Sequence, residues 1–386
     1  MLEIREKLEP MDIPELSAIG PKERLVFFDI ETTGLRAGRA ELYLIGLLFH
    51  DGKDWELIQW FSQGLSDEEE LLLRFSGFLN DMRRRHSPQK PILISYNGDG
   101  FDIPFISSCL RAYGLPDIKG TVLSFDLYKQ LSGLKRILGL PDMKLKTIER
   151  FLGIDREDSF SGGELISVYE RYRLLLAEGS GEGEKLLSVL LLHNAEDIRN
   201  MPAICRMLSY EGLFSGDFSF SSGEILRISG RPVLDLRYSL KGPLPRELYY
   251  EDESYVLSAS PENDDLLDLA VSLYEGELKY FFADHKNYYY LPAEDRAIHK
   301  SVASFVDRKS RKQATKATCY QKREGLFLPE PEVIFAPVYY KDYGADIRYA
   351  EFCGDKLADE ENMKRYAVSV LGYVQGKINA QRGSKM

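Results

Sequence analysis

Residues 24–31 combine an apolar strand pattern with two acidic residues at its end. The run Leu-Val-Phe-Phe is typical of a buried central strand and leads directly into Asp29 and Glu31. Because side chains alternate along a strand, both carboxylates leave the same face of the sheet. Burying two carboxylates together is costly unless a cation neutralises them, so the pattern indicates a metal site. The alternative is a strand end with two solvated acids.

Strand and helix patterns alternate around this segment. An Asp-Gly turn at 51–52 separates two apolar strands and favours a hairpin, and a helix capped by Ser66 follows. The order is β-β-β-α-β-α-β-α, which is the order of the ribonuclease H-like fold. Three antiparallel strands and two parallel ones predict a mixed five-stranded sheet with flanking helices. The predicted strands cover 24–31, 43–50, 55–61, 91–96 and 121–125.

The chain is long enough, at 386 residues, for one large or two medium domains. We expect a leader at 1–21, an α/β domain at 22–212, and a C-terminal α+β domain at 213–386 whose fold the pattern does not define. A glycine-rich segment at 178–185 predicts a loop before a leucine-rich helix. The C-terminal domain is expected to contain several strands, and helices at about 292–306 and 360–377.

Composition argues against several classes of protein. The formal charge of −11, from 50 basic and 61 acidic residues, is unlike that of a passive nucleic-acid coat. The sequence contains no apolar run of about 18 residues and no apolar signal segment at its start, so we expect no membrane span and no secretion. Four separated cysteines without a Cys-x-x-Cys pair predict a cytoplasmic protein rather than a zinc ribbon or a disulfide scaffold.

Two further acidic segments lie near predicted helices. Asp102 falls where a helix begins beside the sheet, so it is either a helix cap or a metal ligand. His193 and Asp197 are four residues apart and therefore share one face of the leucine-rich helix. A lone histidine on a helix is otherwise more often a surface or core residue. Asp126 opens a helical segment and is predicted to be a cap.

Together these segments resemble the motifs of the DEDD (DnaQ-like) superfamily of 3′–5′ exonucleases. The matching residues are D-x-E-T-T-G at 29–34, Y-N-x-x-x-F-D at 96–102 and H-x-x-x-D at 193–197. The second motif is also similar to the proofreading exonuclease segment of family B DNA polymerases. The stretch 125–154 and the third motif are most similar to YprB-like ribonuclease H-like proteins. The resemblance covers about residues 22–210.

The resemblance implies phosphodiester hydrolysis with two divalent cations, Mg²⁺ or Mn²⁺, because hard oxygen ligands suit these ions. Asp29 would bridge both ions, Glu31 and Asp197 would complete the first site, and Asp102 would serve the second. His193 would be the general base that accepts a proton from the attacking water. Its three-residue gap to Asp197 is typical of the tyrosine-type branch, whereas histidine-type members usually have four.

The resemblance also implies substrate contacts next to the first motif. Related exonucleases contact the terminal nucleotide there, so the implied residues are Thr32, Thr33, Gly34 and Leu35. Asn97 would position a phosphate or sugar. An ordinary tight turn explains residues 32–34 equally well.

A second candidate site is basic. Residues 300–323 contain eight cations and a single acid, Asp307. Cations with an interspersed aromatic residue suit single-stranded nucleic acid, although a solvated helix end and loop would explain them as well. The candidate nucleic-acid patch consists of Arg308, Lys309, Arg311, Lys312, Lys316 and Tyr320.

The sequence favours a metal-dependent 3′–5′ exonuclease acting on a single-stranded 3′ end of DNA or RNA. The alternatives are a non-catalytic ribonuclease H-like module that binds nucleic acid or scaffolds a partner, and a structure-selective endonuclease. A phosphate-binding GxxxxGK[ST] loop is absent from the sequence. Strand separation would therefore require a partner such as a helicase or another repair or processing protein.

Overall fold

The computed structural model of the protein describes residues 1–64, 67–179, 181–262 and 265–383. The chain divides into two compact units, Met1–Leu208 and Ser209–Met386. Ser66, the predicted helix cap, and Ser180, in the predicted loop, lie outside the described residues.

The first unit contains six strands and eight complete α-helices among its described residues. The strands are β1 (Leu2–Leu8), β2 (Leu25–Thr32), β3 (Leu42–His50), β4 (Trp55–Phe61), β5 (Ile92–Ser95) and β6 (Leu123–Asp126). The helices are α1 (Leu16–Ile19), α2 (Asp67–Arg85), α3 (Asp102–Ala112), α4 (Leu127–Leu131), α5 (Leu134–Ile137), α6 (Leu145–Leu152), α7 (Gly162–Ala177) and α8 (Gly183–Ile204).

The six strands form one mixed sheet in the order β1-β4-β3-β2-β5-β6. Strands β1 to β4 pair antiparallel, whereas β5 and β6 run parallel to β2. The predicted mixed sheet with flanking helices is confirmed, with one strand more than expected. The extra strand lies within the predicted leader, where Leu2 pairs with Phe61 and Leu8 with Trp55. Four of the seven residues of β1 are charged, as is typical of an edge strand, and the sequence therefore shows too few apolar residues to predict a strand there.

Helices cover both faces of the sheet. On one face, Val26, Phe28 and Ile30 of β2 are buried in a core that α2 and α3 complete. On the other, Tyr43 stacks on Tyr169 of α7 with ring centroids 3.9 Å apart. Each large apolar side chain buried in this way contributes roughly 1.5–3 kcal/mol to stability. Because residues alternate along β2, the acidic residues between its core residues face the side covered by α7 and α8.

A glycine lets α8 lie close against the sheet. A Cβ atom at Gly46 of β3 would lie only 2.1 Å from both Asn194 Oδ1 and Ile198 Cδ1. Gln59 of β4 fixes the same turn of α8, since its amide donates to Asn194 Oδ1 and to the carbonyl of Leu191, each at 2.9 Å. The sheet and α8 are therefore held at one separation.

The second unit is rich in sheet, as expected. Its strands are β7 (Phe218–Ile228), β8 (Arg231–Leu240), β9 (Leu248–Glu251), β10 (Tyr255–Ala259), β11 (Leu266–Ser272), β12 (Tyr274–Phe281), β13 (Tyr288–Leu291), β14 (Arg296–His299), β15 (Lys312–Gln313), β16 (Tyr320–Glu330), β17 (Val338–Tyr339) and β18 (Arg348–Glu351). They form three sheets, in the orders β7-β8-β11-β10-β9, β12-β16-β18-β17 and β14-β13-β15. The helices are α9 (Leu208–Ser215), which begins at the last residue of the first unit, α10 (Lys300–Ala303) and α11 (Glu360–Gly383).

One helix prediction is wrong and one is confirmed. Instead of a helix over 292–306, the chain turns at Asp295, whose φ of 49° is left-handed, and forms the hairpin of β13 and β14. The helix predicted at 360–377 is present as α11. Within the described residues, no helix is both long and apolar enough to cross a membrane.

Candidate functional site

The first and third acidic segments meet between β2 and α8. The imidazole of His193 lies between two carboxylates, since its Nε2 atom is 3.7 Å from Glu31 Oε1 and 3.7 Å from Asp197 Oδ2. Asp29 lies on the same strand face as Glu31, and its Oδ2 accepts a hydrogen bond from the side-chain amide of Asn194 at 3.0 Å. The structure therefore brings these four predicted residues together.

The second segment adds Asp102 at the start of α3. Its buried carboxylate accepts a hydrogen bond from the backbone amide of Ile30, the residue between the two acids of β2. The preceding turn is tight, because a Cβ atom at Gly98 would lie 2.2 Å from Ser95 Oγ and 3.2 Å from Asp102 Oδ2. The glycine allows the turn to bring the start of α3 against the sheet.

Burial and neighbouring negative charges raise the pKa of Asp29, Glu31 and Asp102. Burial raises the pKa of Asp29 well above its usual range, and the negative charges of Asp102 and Asp197 raise it further. Burial also raises the pKa of Glu31 well above its usual range, with Asp197 as the next cause. Burial raises the pKa of Asp102 to about 7. Holding these acids close together lowers the stability of the fold, and a bound cation would reduce that loss of stability.

The donor set fits a divalent cation. Four carboxylates lie within electrostatic range of one another, and hard oxygen donors suit Mg²⁺ or Mn²⁺. In the part of the chain that the structure describes, however, no three Asp, Glu, His or Cys side chains form a group ready to hold a metal ion. One carboxylate, that of Asp197, is instead paired with a protein cation. The two ions expected from the sequence stay a prediction.

That cation is Arg156, on the segment between α6 and α7. Its buried guanidinium donates from Nη1 to both carboxylate oxygens of Glu149, at 2.9 and 3.0 Å, and from Nη2 to Asp197 Oδ1. The second oxygen of Asp197, Oδ2, lies on the side of His193. Arg156 thus fixes which oxygen of Asp197 is directed to the site.

The same segment supplies a carboxylate partner for the histidine. Asp158 Oδ2 lies 2.7 Å from His193 Nδ1 and accepts a hydrogen bond from Lys146 Nζ at 2.9 Å. Although burial opposes it, hydrogen bonds from Lys146 and from the amide of Phe160 hold the pKa of Asp158 below its usual range. An ionised carboxylate at Nδ1 favours the tautomer with the proton on Nδ1, which leaves Nε2 as an acceptor facing the site.

Sequence reasoning missed Arg156 and Asp158. They lie in a run of alternating charge, Asp-Arg-Glu-Asp at 155–158, which resembles an ordinary solvated connection between two helices. Both side chains are nevertheless buried, with exposed fractions of 8 % and 1 %. Buried charge is the signal, and only the tertiary structure reveals it.

The turn after the first motif is held by its own side chains. Thr32 Oγ1 donates to the carbonyl of Gly34 at 2.8 Å, and Thr33 Oγ1 accepts from the amide of Glu41 at 2.8 Å. Both hydroxyls therefore support the turn, as the alternative interpretation expected. Leu35 is 84 % exposed, so its side chain is free to contact a ligand.

Asn97 is placed by its backbone. Its φ of 67° is left-handed, and its amide donates to Asp126 Oδ1 at 2.9 Å. The same carboxylate accepts from the amides of Tyr128 and Lys129 at the start of α4, so Asp126 is a helix cap, as predicted. The role of Asn97 at a phosphate or sugar stays a prediction.

The structure corrects one member of the candidate nucleic-acid patch, which lies in the second unit. Tyr320 is only 6 % exposed, its hydroxyl donates to Asp295 Oδ1, and Lys279 lies over its ring. Its ring packs inside the unit and is not available for stacking on a base. The five cations of the patch lie on the segment that leads into and beyond β15.

Comparisons with known proteins agree with this architecture. Residues 26–209 match the family model described as RNase_H superfamily. A DNA polymerase from Thermococcus aggregans is 24 % identical over 276 residues, which are 63 % of this chain but only 13 % of that polymerase.

Two solved structures share weaker similarity. The family B DNA polymerase from the hyperthermophilic archaeon Pyrobaculum calidifontis is 16 % identical, with a TM-score of 0.36 over 51 % of this chain and 26 % of that chain. The zinc-bound complex of E. coli ExoI with ssDNA is 13 % identical, with a TM-score of 0.28 over 44 % and 43 %. The family match agrees with the mixed sheet and its flanking helices, and the first unit has a ribonuclease H-like fold.

Proposed function

We propose that the first unit is a metal-dependent 3′–5′ exonuclease that hydrolyses phosphodiester bonds of DNA or RNA. The observation that carries the proposal is the cluster of buried and half-buried carboxylates around an oriented histidine. Asp29 and Glu31 come from β2, Asp102 from α3, and His193 and Asp197 from α8. A module that only binds nucleic acid has no need of four carboxylates at the place where phosphate would lie, because they repel it.

The carboxylates of Asp29, Glu31, Asp102 and Asp197 would hold the divalent cations. When bound, these ions supply positive charge that stabilises the transition state and lowers the pKa of the attacking water. Arg156 keeps Oδ1 of Asp197 engaged, so Oδ2 is the oxygen left to face an ion.

His193 and Asp158 would together remove a proton from the attacking water. Nε2 of His193 accepts the proton of the attacking water while the water oxygen forms a bond to phosphorus. The bond from phosphorus to the 3′-oxygen of the preceding nucleotide breaks, and that oxygen takes a proton from solvent. The negative charge of Asp158, 2.7 Å from Nδ1, stabilises the imidazolium that forms.

The substrate that this proposal requires is an open single-stranded 3′ end. The side chain of Leu35, which directly follows the first motif, is exposed and would abut the terminal base. A helicase or another repair or processing protein would have to supply the single strand from a duplex.

The proposal is tested with 5′-labelled single-stranded, duplex and overhang DNA and RNA, incubated with Mg²⁺ or Mn²⁺. The wild type is expected to give a ladder of products shortened from the 3′ end, and Asp29→Ala is expected to give none. Asp99→Ala is a matched control, because this acid pairs with Lys129 and lies outside the carboxylate cluster. A single internal cut would favour an endonuclease, and no metal-dependent cleavage of any substrate would favour a binding module.

A further inference from the structure

The second unit carries a basic segment, residues 300–316, that begins at α10 and continues beyond β15. It contains six cations and one acid within a chain of net charge −11. The single acid, Asp307, accepts a hydrogen bond from the backbone amide of Lys309 at 3.0 Å. The six cations are Lys300, Arg308, Lys309, Arg311, Lys312 and Lys316.

Several other cations of the second unit have carboxylate partners, in contrast to these six. Elsewhere, Arg227 pairs with Glu275, Arg323 with Glu351, and Lys322 with both Glu277 and Asp295. Among the residues that the structure describes, none of the six cations of the basic segment lies within ion-pair distance of a carboxylate. Uncompensated charge of one sign raises the free energy of the folded unit, so an anionic ligand would stabilise this segment.

The basic segment is supported by the three-stranded sheet. Tyr289 of β13 lies beneath two of its cations, with Lys300 Nζ 5.4 Å and Arg311 Cζ 4.8 Å from the ring centroid. Arg311 also donates to the carbonyl of Ala303, which ties the strand side of the segment to α10. These contacts hold the two charges in place before any ligand arrives.

Two of the six cations and one further lysine share an open cavity. Lys286, Lys300 and Lys316 line a cavity of about 330 Å³ together with His285 and Gln313. The amide of Gln313 donates to the carbonyls of His285 and Tyr288, so the wall of the cavity is fixed by hydrogen bonds. The three lysines come from separate positions along the chain, and their ammonium groups could neutralise the phosphates of a nucleic-acid backbone.

The basic segment also contains an exposed aromatic side chain. Phe305 is 91 % exposed and Val302, on α10, is 58 % exposed. Phosphates are bound by cations, and the bases of a single strand stack on aromatic rings, whereas bases in a duplex are already stacked on one another. An acidic protein would satisfy the cations but gives no reason for the exposed phenyl ring.

We propose that the basic segment is a binding site for single-stranded nucleic acid. Phe305 stacks on a base, and the cations of the segment neutralise the neighbouring phosphates. The site lies entirely within the second unit and binds without hydrolysing. It therefore goes beyond the proposed nuclease activity, and the two proposals are tested independently.

Binding of a 5′-fluorescein-labelled oligothymidylate to the full chain, followed by fluorescence anisotropy in EDTA, tests the proposal without hydrolysis. A matched oligomer of abasic nucleotides offers the same phosphates without bases. Phe305→Ala is expected to weaken binding of oligothymidylate about tenfold and to leave binding of the abasic oligomer unchanged. Replacing Lys309 and Lys312 together by alanine is expected to weaken both, and to reduce the slope of log K against log salt by about 0.7 for each phosphate that is no longer neutralised.

Arg227→Ala is the control, because it removes an exposed cation of the same unit that already has a carboxylate partner. The proposal is overturned if the wild type does not bind the oligomer, or if Phe305→Ala affects both oligomers equally. It is also overturned if polyglutamate competes as well as the oligothymidylate, which would identify the segment as a site for an acidic protein. None of these results would bear on hydrolysis by the first unit, which the metal-dependent cleavage assay measures.

Discussion

At the scale of single residues, two buried charges between α6 and α7 determine how α8 presents its site. Asp158 contacts His193 on the nitrogen that faces away from Glu31, and Arg156 contacts the oxygen of Asp197 that faces away from the histidine. Each pairing leaves one acceptor atom directed at the site. The orientation of these side chains therefore depends on two residues outside the carboxylate cluster.

Asp158→Asn is expected to lower kcat by about 10- to 100-fold with little change in KM. Asparagine preserves the size of the side chain but removes the negative charge that stabilises the imidazolium of His193. Steady-state hydrolysis of a single-stranded oligonucleotide measures both constants. Glu157→Gln is the control, since this neighbouring acid is exposed. An unchanged kcat in Asp158→Asn would remove Asp158 from the mechanism.

Arg156→Met is expected to lower the free energy of unfolding by about 3–5 kcal/mol. The substitution leaves the buried carboxylate of Glu149 without its cation, while methionine fills a similar volume. Urea denaturation measures the loss, and Arg150→Met, an exposed change on α6, is expected to stay within about 0.5 kcal/mol of the wild type. Equal stability of the two variants would contradict the proposed role of the buried ion pairs.

At the scale of elements, the position of α8 depends on Gly46. Gly46→Ala introduces a Cβ atom 2.1 Å from the side-chain ends of Asn194 and Ile198, so these buried side chains or α8 itself must shift. We expect a loss of about 1–3 kcal/mol in stability, together with a fall in kcat, because the side chain of Asn194 donates to Asp29. Thermal unfolding and steady-state kinetics measure the two effects.

The control for this substitution is Gly77→Ala on α2, where a Cβ atom meets nothing within 4 Å. Because alanine favours a helix over glycine, this variant is expected to be equally stable or more stable by up to about 1 kcal/mol. If Gly46→Ala behaved in the same way, close packing between β3 and α8 would not position the site.

The elements that the sequence predicts best are those whose local pattern agrees with their tertiary surroundings. The apolar run of β2 and its two acids identified the central strand and one site face, because burial and alternation are both visible in the sequence. Strand β1 was missed because its edge position tolerates charges at most of its residues. The helix expected near 300 was wrong because a left-handed turn at Asp295 is decided by hairpin pairing rather than by periodicity. Arg156 and Asp158 could not be found, since nothing local indicates that their segment is buried.

At the scale of the whole molecule, the net charge is an average over one strongly negative region and one strongly positive region. The first unit concentrates carboxylates at its candidate site, and the second concentrates unpaired cations on the basic segment. The average of −11 therefore says little about either region. An acidic surface limits non-specific binding of nucleic acid, so affinity is expected to be salt-sensitive and to arise from local contacts.

This separation of charge predicts that divalent cations stabilise one unit and not the other. Calorimetry of the full chain is expected to show Mn²⁺ raising the transition of the first unit, by about 2.7 kcal/mol at a hundredfold excess over the dissociation constant, with EDTA reversing the shift. Asp29→Asn is expected to unfold at a higher temperature than the metal-free wild type, because it removes one of several repelling charges, and to lose the response to Mn²⁺. If Mn²⁺ changed neither unfolding temperature of the wild type, the carboxylates of β2, α3 and α8 would not form a metal site. A bound cation would reduce the repulsion among them, and the first unit would then unfold at a higher temperature.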